Sequence, residues 1–350
     1  MKFTYDITES YRTNFESGPM FANDPPRVPE TPIKTFLGLP VASRFGIAAG
    51  LLLNSSWILG YARRGFDLLT YKTVRSRARE CYPPPNWVFV EAEEGDAPVW
   101  VKDGPGEDAR TVSSAVCFGM PSMSPEMWRA DVAKAKAGLG TRQVLIVSVV
   151  ASPDDGDKEE EVAADFAQCA AWAAEAGADV VEANFSCPNV CSAEGSVYLD
   201  AGLSGRIAER IRDAVGKTPI LIKSGHFTDD AAMEVFLSEV AESANGVVLV
   251  NGIAREVRHR DGRPAFGNNF VRAGVLGRVI NAPSVASMRR ASKFIKTEGL
   301  PLDLIGVGGA AMAEDVEEFM DAGAAAVMLG SSPMYLPDLA VEIKKKHPDW

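Results

Sequence analysis

The chain has 350 residues, enough for two average domains or one large α/β barrel with a sizeable core, and its 46% hydrophobic and 24% charged residues are ordinary for a globular enzyme. A net charge of −11, with no basic block longer than Lys344-Lys345-Lys346, argues against a general nucleic-acid binder, so an anionic ligand needs locally placed donors. Five irregularly spaced cysteines and three histidines form neither a disulfide framework nor a repeated metal pattern, and no run reaches the roughly 18 apolar residues of a membrane span, so a cytoplasmic protein without a metal or membrane attachment is expected.

Residues 1–32 are polar and carry Pro25, Pro26, Pro29 and Pro32; they read as an arm lying over the surface of a domain or partner. From residue 33 to 350 short apolar runs alternate with amphipathic segments. Strands are expected at 44–50, 67–73, 144–150, 179–185, 219–223, 246–251, 302–307 and 325–329, and helices near 54–64, 124–138, 160–176, 204–215, 228–242, 283–296, 312–322 and 337–346. Asp229-Asp230 and Glu314-Asp315 sit where helices start, and Gly177 and Gly323 where helices end, in line with helix-dipole and C-terminal cap chemistry. Eight β-then-α units, with no Gly-x-Gly-x-x-Gly after the first strand, favour a closed (β/α)8 TIM barrel over a doubly wound sheet.

Two stretches break the rhythm. Within 76–122, Trp87-Val88-Phe89-Val90-Glu91 and Val99-Trp100-Val101-Lys102 flank Glu93-Glu94-Gly95-Asp96 and read as a β-hairpin inserted after the second strand. Residues 252–278, after the sixth strand, form a long polar segment rich in arginine (Arg255, Arg258, Arg260, Arg263). Long loops after barrel strands lie on the catalytic face, so both are walls or lids, or a subunit contact.

All eight tips of such a barrel converge on one mouth, and the groups they carry form a short list. They are Ala48-Ala49-Gly50, Lys72-Thr73, Ser148, then Asn184, Ser186, Cys187 and Asn189, then Lys223-Ser224-Gly225-His226, Asn251-Gly252, Gly308-Gly309 and Gly330-Ser331. Glycine loops at both of the last two strands, with Gly274 and Gly277 as a third edge, expose backbone N–H groups at helix starts to a phosphate monoester. Lys72 and Lys223 each end an apolar strand, where an unpaired ammonium is costly, which points to an anion or an electron-rich ring such as a reduced flavin between them. Amides beside a group that takes a proton make the fourth tip a redox or acid/base site, against the bland alternative of a strand end capped by small polar residues.

The run Asn184-Phe185-Ser186-Cys187-Pro188-Asn189 closely resembles the Asn-x-Ser-Cys-Pro-Asn signature of the dihydroorotate dehydrogenases and their dihydropyrimidine dehydrogenase relatives. Lys72-Thr73, Ile222-Lys223, Val250-Asn251, Gly274-Val275-Leu276-Gly277, Ile305-Gly306-Val307-Gly308-Gly309 and Leu329-Gly330-Ser331 follow in that family's order. The resemblance implies an FMN-containing (β/α)8 barrel that oxidises dihydroorotate to orotate in pyrimidine biosynthesis. Cys187 would take the proton from substrate C5; Lys72, Asn184, Asn189 and Asn251 would hold the ring of a dihydropyrimidine-like substrate. Ala49, Gly50, Lys72, Thr73, Asn184, Lys223, Gly277, Gly308, Gly309, Gly330 and Ser331 would contact FMN. Cysteine rather than serine at 187, and Leu53 where the membrane-associated class has lysine, resemble the class 1 enzymes, and a homodimer follows by analogy. One departure stands out: the family's Asn-x-x-Gly-x-Pro loop reads Val116-Cys117-Phe118-Gly119-Met120-Pro121 here, and Val116 cannot donate a hydrogen bond. Alternatives are therefore a related dihydropyrimidine or other ene-type substrate, a non-redox phosphate-binding barrel, or an idle barrel that only binds; the electron acceptor leaves no local motif.

Overall fold

The computed structural model describes residues 2–92, 98–154, 156–186 and 196–350. Eight parallel strands close into a barrel: Phe45–Ile47, Leu68–Val74, Val144–Val149, Val180–Asn184, Ile220–Lys223, Gly246–Leu249, Asp303–Val307 and Ala326–Leu329. Each pairs with the next in chain order, and the eighth returns to the first through Val327↔Phe45, Met328↔Gly46 and Leu329↔Ile47. This is the TIM barrel that the strand–helix rhythm predicts. Alternation sorts its residues into two cores: Val180, Leu221, Val248 and Ile305 fill the interior, while Val181, Ala183 and Ile222 pack outward against helix residues such as Phe166, Ala170 and Ile207.

Local chemistry sets the ends of the surrounding helices. Asp229 accepts from the Ala231 N–H at 3.1 Å to start the helix Asp230–Val240. Gly177 and Gly323 follow helix ends at φ 105° each, a conformation that a side chain would strain. Below the barrel, Lys34–Phe36 and Leu39–Val41 form a hairpin turning at Leu37 and Gly38, and its Phe36 and Val41 join the interior core beside Leu68, Val144 and Val180.

The two interrupting stretches meet in space, which the sequence does not announce. Trp87–Ala92 pairs antiparallel with Val99–Lys102, as a hairpin should, and residues 93–96 between them lie outside the described residues. Ser113–Val116 adds a third strand. The 252–278 segment, expected as a long polar loop, instead contains the strands Ile253–Arg258 and Arg272–Gly277. Its arginines disguise an alternation in which Val257, Ala273 and Val275 point inward. All five strands close into a second, smaller barrel with its own core of Val90, Val99, Ala115, Val257, Phe266 and Val275.

The N-terminal arm is more embedded than a surface strap. Thr4 donates through its backbone N–H to the Met334 carbonyl at 2.9 Å and bonds the Tyr61 hydroxyl at 2.6 Å, and Tyr5 is 5% exposed. A short helix, Tyr11–Ser17, follows, capped by Ser10 accepting from the Thr13 N–H at 3.0 Å.

A buried ion pair ties the last helix to the start of the second barrel strand. Lys344 Nζ lies 2.7 Å from Asp67 Oδ2 with both side chains nearly inaccessible (2% and 4% exposed), and Ser43 Oγ donates to the same oxygen. Breaking such a pair from one side leaves a buried charge without compensation. Lys344→Met is therefore expected to lower the unfolding free energy by about 3–5 kcal/mol, read as a lower urea midpoint at unchanged m-value.

Candidate functional site

A large cavity opens at the C-terminal ends of the barrel strands, roofed by the smaller barrel and walled on one side by the arm. Ala49, Gly50, Lys72, Thr73, Asn184, Lys223, Asn251, Gly277, Gly308, Gly309, Gly330 and Ser331 all line it. Cys187 and Asn189 lie outside the described residues. His226 is not part of the lining; its Nδ1 sits 3.2 Å from Ser287 Oγ.

One side of the cavity is a chain of small polar groups on adjacent strand tips. Ser148 Oγ and Thr73 Oγ1 are 3.0 Å apart; Asn184 Nδ2 donates to Thr73 Oγ1 at 3.4 Å; Asn251 Nδ2 donates to Asn184 Oδ1 at 3.4 Å and also to the Ser186 carbonyl. The second, third, fourth and sixth strands are thus cross-linked above the barrel's apolar interior. Asn184 Oδ1 additionally accepts from the Ser186 N–H at 3.2 Å, which turns the chain sharply as the strand ends. These amides are held in fixed orientations before any ligand arrives, as directional recognition of a polar ring requires.

Cationic side chains stand beside these amides: Lys223 is the register partner of Asn184, and Lys72 directly precedes Thr73. Lys223, at the tip of the fifth strand, is 2% exposed and 3.8 Å from Glu182. Lys72 Nζ stands 5.5 Å from the centre of the Tyr11 ring, within cation–π range. Arg278 pairs with Asp315 at 2.6 Å. Burial pushes the Tyr11 and Tyr5 hydroxyls well above the ordinary tyrosine range and Tyr335 up to about 12, so these wall residues stay neutral and add no negative charge to a cation-lined cavity.

Glycine makes the other end approachable. A Cβ on Gly308 would sit 2.1 Å from Ser284 Oγ, and one on Gly309 2.5 Å from the Gly277 carbonyl oxygen, at φ 141° and 77°. Those two loops are consequently packed against each other and can present backbone, not side chains, to the cavity. Gly330 differs: a Cβ there would meet nothing within 4 Å. Asp315 Oδ2 accepts the Ala311 and Met312 N–H groups at 2.8 and 3.2 Å, which ties the loop after the seventh strand to the start of helix Ala313–Asp321. Ser331 is the N-cap of the short helix Ser332–Tyr335, which precedes the last helix, Leu339–Lys346.

Sequence reasoning missed several lining residues. Tyr5 and Tyr11 come from the arm, Trp87 and Phe118 from the inserted strand and the loop beyond it, and no local pattern reveals that these aromatic residues face one space. The 116–121 loop is positioned by the fully buried Arg75, whose Nε donates to the Met120 carbonyl at 3.1 Å and whose Nη1 donates to that of Ala151 at 2.6 Å. It places Val116, Phe118 and Met120 on the cavity wall. The arginines singled out in the 252–278 segment do not line it: Arg258 pairs with Glu256, Arg260 with Glu91 and Arg263 with Asp261. Arg278, at the segment's end, does.

The sequence profile described as dihydroorotate dehydrogenase matches residues 119–349. The dihydroorotate dehydrogenase of Dictyostelium discoideum is 30% identical over 97% of this chain and 95% of its own length. Dihydroorotate dehydrogenase A (fumarate) of Limosilactobacillus reuteri is 32% identical over 53% of this chain and 58% of that protein. Among solved structures, the Eimeria tenella DHODH in complex with ferulenol superposes with a TM-score of 0.70 at 17% identity, covering 89% of this chain and 82% of that one, a likeness of fold.

Because Gly330 borders open space, Gly330→Val fills the cavity without a packing clash. The variant is expected to unfold within about 2 °C of the parent, the range of a substitution that disturbs no core contact, while losing at least tenfold in affinity for a phosphate monoester ligand by isothermal titration calorimetry.

Proposed function

The chain belongs to the dihydroorotate dehydrogenase family, and from that membership we propose that it oxidises dihydroorotate to orotate with FMN as its cofactor. The observation that carries the reading is the convergence, in one cavity, of cations, orienting amides and side-chain-free loops at separate strand tips. The residues present suit FMN: Lys72 and Lys223 offer positive charge to an electron-rich ring, and Gly277, Gly308, Gly309, Gly330 and Ser331 border the space where its phosphate would lie. Ala49, Gly50 and Thr73 would flank the ring. When bound, FMN supplies the two-electron acceptor for the hydride lost by the substrate.

The chain's own residues would do the rest. Asn184 and Asn251, locked together by their hydrogen bond, would orient the substrate ring, with Asn189 as a third amide. Cys187 would act as the base for the C5 proton, a role that needs thiolate character. The arm and the smaller barrel exclude water from above, through Tyr5, Tyr11, Trp87 and Phe118. No helix among the described residues is long and apolar enough to cross a membrane. The acidic surface, the cysteine usage and analogy with the family support a cytoplasmic homodimer as the working form.

A second reading concerns substrate only. Val116 lies on the cavity wall beside Phe118 and Met120, so a polar contact expected for orotate's family is replaced by apolar surface. A dihydropyrimidine lacking the carboxylate would tolerate that wall better.

Purified protein should be yellow, and anaerobic dihydroorotate should bleach its flavin absorbance faster than dihydrouracil does. The reverse order would favour the second reading, and colourless protein that takes up no FMN would defeat both. Cys187→Ala is expected to slow flavin reduction by about 10²–10⁴-fold with FMN retained, measured by stopped-flow absorbance.

A further inference from the structure

The roles assigned so far leave one buried carboxylate unused. Glu182 sits in the middle of the fourth barrel strand, fully inaccessible, with Ser148 and Leu221 as its register partners on the neighbouring strands. Strand alternation puts it on the interior face with Val180 and Asn184, one layer beneath the cavity floor. Among the described residues neither of its oxygens has a hydrogen-bond partner. Its one ion pair is with Lys223, whose Nζ lies 3.8 Å from Oε1, too far for a hydrogen bond.

A pair of this kind is poor core material. Buried carboxylates are ordinarily hydrogen-bonded, and an ion pair inside a protein gains little over apolar side chains of the same volume. Val180, two residues earlier on the same face, shows that an aliphatic side chain fits this interior. What the pair does supply is charge next to the cavity: Lys223 lines it, Glu182 does not. In a low-dielectric interior, the carboxylate offsets the field that the ammonium projects into the cavity.

We propose that Glu182 is a positioning residue that acts through Lys223: it holds the ammonium against the cavity floor, and its opposite charge sets how strongly that ammonium would favour the reduced, anionic form of a flavin bound there. The inference rests on the flavin reading above. Removing the carboxylate's charge but keeping its shape leaves the ammonium uncompensated, and a reduced ring then gains more from it than the oxidised ring does.

The test is the midpoint potential of bound FMN in the full-length holoenzyme, measured by dye equilibration. Glu182→Gln is expected to retain FMN and to favour reduction at least tenfold more than the parent, an upward shift of about 30 mV for a two-electron couple. An unchanged or lowered potential in yellow protein would overturn the role of Glu182 while leaving the flavin reading intact; failure of the parent to take up FMN would remove both. Should the glutamine variant not fold, Glu182→Leu is the second variant, with the same expected direction. Infrared difference spectra of the parent holoenzyme give an independent readout. A protonated carboxyl band that disappears on substituting Glu182 would show the group neutral and overturn the proposal, and its absence supports an ionised pair.

Discussion

Everything at the mouth depends on closure of the barrel between its first and last strands. Three residue pairs, Phe45 with Val327, Gly46 with Met328 and Ile47 with Leu329, carry that seam, and the first strand is only three residues long. Gly46 makes the tight fit on the other side possible, since a Cβ there would lie 1.9 Å from the Leu68 carbonyl oxygen. Without the seam the eighth tip, with Gly330 and Ser331, would not face the second and fifth tips, with Lys72 and Lys223. A site divided between phosphate-bordering and ring-bordering residues exists only because the sheet has no edges.

Closure alone leaves a mouth open to water, and the second barrel answers that. Its five strands come from two insertions separated by well over one hundred residues, yet they share a core, so neither insertion can reach its observed form without the other. The pairing Gly274↔Val116 places the glycine-rich strand after the sixth barrel strand directly beside the start of the 116–121 loop. Changes to the roof therefore bear on both the phosphate end and the substrate wall. The arm adds the last side, inserting Tyr5 among Trp57, Trp87 and Phe118 in a run of ring contacts.

Legibility in the sequence followed the range of the interactions concerned. The eight barrel strands and their helices were readable because apolar period, caps and glycines are local, and strand-tip residues such as Thr73, Asn184 and Gly309 could be gathered by the topology alone. The strands Ile253–Arg258 and Arg272–Gly277 were not, because arginines on the outward face swamp the alternation and the inward face is defined by partners far along the chain. The aromatic wall had no signal at all, since Tyr5, Tyr11 and Trp87 look like ordinary residues of an arm and a hairpin. Glu182 did leave one: an acid in the middle of an otherwise apolar strand, two residues before Asn184, sits on the same face as the site.

The electrostatic arrangement accounts for how so acidic a chain could hold an anionic cofactor. A net charge of −11 disfavours phosphate and carboxylate ligands at long range, but salt screens that field within about 10 Å in ordinary buffer. At contact distance an anionic ligand in this cavity would meet Lys72, Lys223 and Arg278, together with tyrosines that burial keeps neutral. Two of these cations come with a carboxylate of their own: Glu182 behind Lys223 and Asp315 behind Arg278. Asp315 is also committed to capping the next helix, so its pairing fixes a side chain and a helix start together, whereas Glu182 accepts no hydrogen bond among the described residues. On the proposed reading the two acids would serve unlike ends, one securing the loop that would border the phosphate and the other moderating the charge beneath the ring.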